Sequence, residues 1–139
     1  MRFITTTTLT AFLAGLASAH TANCWGKALN PPRTTLLTTI TDFDTILSHP
    51  DNKFYPPTRL AEAHRCAEQY CRHGVSVRYC NEGDDVRYMP LQAIRDAVQV
   101  LADECVAEYK EETVAGGVLD HEDLWNVVVQ QDDACEDRE

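Results

Sequence analysis

Basic residues are scarce in this chain: 12 Lys and Arg stand against 22 Asp and Glu, for a net charge of −10. Nucleic acid and anionic lipid headgroups both recruit Lys and Arg, so neither is an expected partner. No stretch approaches the ~20 consecutive apolar residues that cross a bilayer, and no membrane span is expected. There is no Gly-rich phosphate loop and no Ser-centred G-x-S-x-G elbow. Asn-x-Ser/Thr acceptors and internal repeats are missing as well. An unpaired cysteine is missing too, because six cysteines form an even set and leave no thiol over as a nucleophile. No enzyme activity, cofactor or metal centre is expected on these grounds.

What is present begins with a leader. Met1-Arg2 gives a positive start, Phe3 to Leu16 is apolar and Thr-rich, and Ala17-Ser18-Ala19 has small residues suited to cleavage. That layout predicts a secretory signal peptide over 1–19, removed after Ala19. The remaining 20–139 is short enough for a single domain. It holds all six cysteines, Cys24, Cys66, Cys71, Cys80, Cys105 and Cys135. An even count in a small exported chain predicts three disulfides. Zinc ligation would need paired ligands at short spacing. The one short pair, Cys66 and Cys71, has four residues between its members. The acidic excess is concentrated late: 103–139 carries 13 Asp and Glu against two basic residues. It reads as a solvated face, or as a patch that docks a basic partner.

Residue spacing predicts the elements. Cys24 to Leu29 reads as a short first strand, and Thr34 to Thr41 as extended or loop. Thr41-Asp42-Phe43-Asp44 resembles a helix start, for a short helix ending before Pro50. From Thr58 to Gly74 a helix is predicted, with Leu60, Ala63, His64, Ala67, Tyr70 and Cys71 at three-and-four spacing. On such a helix Cys66 and Cys71 are too far apart to bridge, so each must reach a cysteine elsewhere. Val75, Val77 and Tyr79 alternate with polar neighbours as in a half-buried strand. Asn81 to Asp85 reads as a hairpin turn leading to a strand at 86–89. Pro90 then opens a long amphipathic helix from Leu91 to about Tyr109. Lys110 to Asp123 is polar, with Gly116-Gly117 as a hinge-like loop, and Leu124 to Val129 reads as a central strand.

The resulting order is strand, helix, strand, strand, helix, strand. It predicts an α+β two-layer sandwich of the ferredoxin-like split βαβ type (βαββαβ), two helices on a four-stranded antiparallel sheet. Its first and last strands would be antiparallel neighbours, which favours a Cys24–Cys135 bridge. The other four cysteines stay unpaired on sequence grounds.

With its leader, its six-cysteine domain and its spaced Cys80, Cys105 and Cys135, the chain resembles a fungal small secreted cysteine-rich effector of the killer-toxin-like α/β fold. The resemblance implies a virulence protein of a plant-associated fungus that binds a host protein or a companion effector, as a heterodimer in the latter case. It implies action in the host apoplast, with translocation into host cells as a further destination. Killer toxins are often basic and richer in cysteine, so the acidic balance favours an effector over the alternative, an antifungal or antimicrobial toxin. A third alternative is a small secreted copper protein or hydrolase. If cleavage follows Ala19, the amine and imidazole of His20 could chelate Cu(II). Proteins with such a histidine brace resemble larger β-sandwiches with a second positioned histidine, whereas this chain is short and reads as helical.

Asp120-His121-Glu122-Asp123 clusters three carboxylates and an imidazole, and reads as a solvated loop. His64 reads as a core or groove histidine. Among the aromatics, Trp25, Tyr88 and Trp125 read chiefly as core, and Phe54-Tyr55 as the exposed pair. Phe54, Tyr55, Asp120, Glu122 and Asp123 are the candidate partner surface.

Overall fold

The computed structural model describes residues 20–49 and 58–136; the expected leader at 1–19 and residues 50–57 and 137–139 lie outside the described residues. The elements run β1 His20–Cys24, α1 Arg33–Leu47, β2 Thr58–Ala61, β3 Arg65–Arg72, β4 Val75–Asn81, β5 Arg87–Pro90, α2 Leu91–Glu104, β6 Val106–Tyr109, β7 Glu112–Ala115, β8 Gly117–His121 and β9 Trp125–Gln131. The chain is α+β, with two helices and three disulfides among the described residues. Five strands form one sheet in the order β1-β8-β9-β4-β3, with every neighbour antiparallel. The ribbons β2–β5 and β6–β7 stand apart from it.

The ferredoxin-like layout is not the one observed. That layout holds four strands in one sheet, whereas the described residues form nine strands in three sheets. Strand β1 lies beside β8 rather than beside the last strand. The reason is that 112–121, polar enough to read as loop, forms two strands. β8 folds straight back on β9 and takes the place next to β1. Gly116-Gly117 is close-packed rather than hinge-like. A Cβ on Gly117, whose φ is +152°, would meet the Asn23 carbonyl oxygen at 2.4 Å.

The core lies between the helices and one sheet face. Leu36, Ile40 and Phe43 of α1 and Leu91, Ile94, Val98 and Leu101 of α2 bury against Val75, Val77, Tyr79, Leu119, Val127 and Val129. Each large side chain buried in this way contributes about 1.5–3 kcal/mol. Helix α2 begins at Leu91 as expected but stops at Glu104, so Tyr109 belongs to β6.

Two segments differ in type from their sequence reading. The Thr-rich 34–41 stretch is part of α1. Its β-branched residues disfavour a helix, but Leu36, Ile40 and Phe43 fall on one buried face. The hydroxyls of Thr38, Thr39, Thr41 and Thr45 donate to carbonyls four residues back, at 3.1–3.2 Å. Conversely, 58–74 forms β2 and β3, not a helix. The register of β3 against β4 skips Gln69, so Ala67 faces Tyr79 and Tyr70 faces Val77. This bulge turns a two-residue step into a three-residue one, the spacing that imitates a helix. The expected 81–85 hairpin also fails: β5 pairs with β2, not with β4.

The disulfides are Cys24–Cys105, Cys66–Cys80 and Cys71–Cys135. The Cys24–Cys135 bridge is therefore incorrect. Cys24 ends β1 at one edge of the sheet, beside the end of α2, whereas Cys135 follows β9 and lies by β3 at the other edge, next to the start of β4. There Gly74 N–H donates to the Cys135 carbonyl at 3.1 Å. Cys66 and Cys71 do each reach a cysteine elsewhere. Cys66 sits directly opposite Cys80 in the ladder.

The loop-entropy relation assigns about 4.5 kcal/mol to Cys24–Cys105, separated by 81 residues, and about 3 kcal/mol to Cys66–Cys80, separated by 14. Urea unfolding of C24A/C105A and of C66A/C80A is expected to rank the first pair as the more costly. Equal or reversed losses would contradict this assignment, as would recovery of a Cys24–Cys135 peptide from an unreduced digest.

Candidate binding surface

The β2–β5 ribbon carries an apolar pair on its outside. Leu60 lies directly opposite Tyr88, and they are 46% and 66% exposed. Val86, two residues before Tyr88, is exposed as well. Between them Arg87 reaches the β8–β9 turn. One guanidinium nitrogen donates to the Asp123 carbonyl and another to its carboxylate at 2.6 Å. The next residue, Leu124, is 55% exposed at a positive φ of 67°, and its carbonyl accepts from Glu82 N–H at 2.9 Å. Leu60, Val86, Tyr88 and Leu124 are thus tied to one end of the molecule through Arg87–Asp123 and Glu82–Leu124. Exposed Glu62, Asp84, Asp85 and Glu122 lie near them in the chain. Burial alone would raise the Asp123 pKa, but the Arg87 bond and charge outweigh it and hold the carboxyl below its usual value.

The predicted site residues separate. Phe54 and Tyr55 lie outside the described residues. Asp120, His121, Glu122 and Asp123 do not form one cluster, because β8 turns alternate side chains to opposite faces. Asp120 accepts a hydrogen bond from Asn23 at 2.7 Å, Glu122 is exposed, and Asp123 pairs with Arg87. Of these, Glu122 and Asp123 belong to the surface just described. Tyr88, which reads as core in the sequence, is exposed, and Leu60 is turned outward because its segment is a strand. An alternating reading of Thr58 to Ala61 is the signal that could have found it. Trp125 is buried as expected, and Trp25 is half-buried with its indole N–H on the Val129 carbonyl at 2.9 Å. His64 is exposed on the β2–β3 turn, with φ 55° and its ring nitrogen 2.8 Å from Asp84. It is no core histidine, because the helix that would bury it is absent.

A different arrangement surrounds His121. Its ring stacks on Trp125, with centroids 3.6 Å apart and planes at 11°. Across the ladder it faces His20, the two ring centroids being 6.2 Å apart. The Nδ1 of His121 is buried without a hydrogen-bond partner. Burial lowers the His121 pKa, with His20 adding to the effect against an opposing pull from Asp123. Elsewhere Glu68, Cys71 and Cys135 bring ligand-type atoms within 4.8 Å of one another. Both sulfurs are spent in the Cys71–Cys135 disulfide, so these residues offer no thiolate for a metal.

A cleft of about 500 Å³ opens between α1 and edge strand β3. On its wall the Tyr70 hydroxyl donates to Asp42 at 2.6 Å. Burial first, and the Asp42 bond second, push the Tyr70 pKa up to about 12.

No known family, curated protein or solved structure matches the chain.

Folding favours the protonated Tyr70. Its contribution to stability is complete below the ordinary tyrosine pKa of about 10 and drains away as pH rises toward about 12. An absorbance titration at alkaline pH is expected to show a late tyrosinate step near pH 12 that Tyr70→Phe removes. The same substitution is expected to cost about 1 kcal/mol at neutral pH. A titration unchanged by Tyr70→Phe would show that this hydrogen bond is not formed.

Proposed function

We propose that the chain is a secreted effector of a plant-associated fungus that acts by binding a host protein or a companion effector, without catalysing a reaction. The observation that carries this reading is the surface at the β2–β5 end. Leu60, Val86, Tyr88 and Leu124 are exposed there, and the exposed carboxylates of Glu62, Asp84, Asp85 and Glu122 neighbour them in the chain. Binding surfaces commonly combine an apolar, aromatic centre with a polar rim, and tyrosine is enriched among their energetic anchors. The carboxylates suit a partner with basic residues around an apolar recess, and they would speed encounter with such a partner. Arg87 holds the β8–β9 turn against the ribbon in the free protein, which lowers the ordering cost of association. Three disulfides suit a protein that works in an oxidising compartment such as the host apoplast.

Affinity capture from host tissue and from culture filtrate of the producing organism tests the reading. A partner retained by the oxidised protein and absent from a reduced, unfolded control is expected. Tyr88→Asp is expected to weaken its binding roughly tenfold or more, while moving stability by no more than about 0.5 kcal/mol because the position is exposed. No retained partner, or one bound equally by Tyr88→Asp, would count against this surface. Growth inhibition of fungi or bacteria by the purified protein would favour the toxin alternative instead.

A further inference from the structure

The chain places two imidazoles opposite each other at the β1 edge of the sheet, their planes tilted by 57°. His20 and His121 are directly opposed residues of β1 and β8. Metal–nitrogen bonds of about 2 Å place two imidazoles sharing one ion with centroids about 4.5–6.5 Å apart, and the observed 6.2 Å falls within that span. Two further features suit a ligand. Stacking on Trp125 fixes the plane of the His121 ring. The buried His121 Nδ1 has no hydrogen-bond partner within the protein, which is costly for a polar atom unless a ligand or water satisfies it.

A third donor depends on the leader. Removal after Ala19 converts the His20 backbone nitrogen into an amine. That amine and the His20 Nδ1 close a six-membered chelate ring on one ion. Three neutral nitrogen donors from two residues suit Cu(II), which heads the first-row divalent series in affinity for such ligands. We propose that His20, freed at its amino end, and His121 together form a Cu(II) site with three nitrogen ligands. The inference rests on the leader removal that the secreted reading includes, and it is independent of the binding surface at Tyr88. The sequence points to His20 as a copper chelate but not to His121 as its partner, because the two are 101 positions apart and β8 reads as loop.

The test uses the exported protein, with its amino terminus established by intact mass. Cu(II) is titrated in the presence of a competing weak chelator and followed by tryptophan fluorescence, since bound Cu(II) beside Trp125 quenches its emission. One equivalent is expected to bind, with a paramagnetic resonance signature of three nitrogen ligands. His121→Phe keeps an aromatic ring on Trp125 but removes the donor. It is expected to weaken Cu(II) binding roughly tenfold or more and to drop one nitrogen from the spectrum. His121→Gln, checked for intact disulfides, gives the same readout without an aromatic ring. Equal affinity and equal spectra for wild type and both variants would reduce the site to an ordinary amino-terminal chelate and overturn the proposal. A mass that includes residues ahead of His20 would remove the amine ligand and overturn it by a different route, refuting leader removal itself.

Discussion

The pairing of β4 with β9 is the contact on which the rest of the structure depends. Seven consecutive residue pairs run from Val75–Gln131 to Asn81–Trp125, and one face presents Val75, Val77, Tyr79, Val127 and Val129 almost wholly removed from water. That face has to be covered, and α1 and α2 cover it with Leu36, Ile40, Phe43, Leu91, Ile94, Val98 and Leu101. Hydrophobic burial here is the largest stabilising contribution available to a domain of this size. Polar groups near the core find partners around it. Asn81 donates to the Ala61 and Asp85 carbonyls, and Arg95 of α2 holds Asp44 of α1 at 2.9 Å.

The disulfides work outward from this centre. Cys66–Cys80 ties edge strand β3 to β4, Cys24–Cys105 ties edge strand β1 to the end of α2, and Cys71–Cys135 ties the segment after β9 back to β3. Each therefore secures an element that has a neighbour on only one side. Edge strands offer unpaired backbone groups to other chains, and anchoring both of them covalently limits fraying at those positions. Of the candidate functional features, only the His20–His121 pair touches such an edge, through β1; the Leu60–Tyr88 ribbon carries no disulfide and is held by Arg87 and the β8–β9 turn. Asp123 points to Arg87 while His121 lies on Trp125, so one short turn serves both.

Elements whose pattern comes from their own burial were legible in the residues. Helix α2 followed from Pro90 and the spacing of Leu91, Ile94, Val98 and Leu101. Strands β4 and β9 followed from period-two alternation and from a Val-rich run, and Trp125 was recognisable as core. Elements whose pattern is set by a neighbour were misread. The bulge at Gln69 gave β3 a helical spacing, and the threonines of α1 hid a helix because their hydroxyls find carbonyls within it. The polar β7 and β8 are strands through ladder bonds to their partners, which leave no mark on hydropathy. The candidate surface shows the same division. The acidic turn was visible as Glu122 and Asp123, whereas exposure of Leu60 and Tyr88 depends on which side of a ribbon faces water.

Taken alone, the sequence determined composition and local pattern: an acidic chain, six cysteines in an even set, one amphipathic helix and two strongly apolar strands. These are properties of residues and their near neighbours. The tertiary structure decided which cysteines meet, which strands share a sheet, and that His20 and His121 stand opposite each other 101 residues apart. Those outcomes depend on strand register, and register is set by the simultaneous burial of several strands and helices against one face, which no single segment encodes.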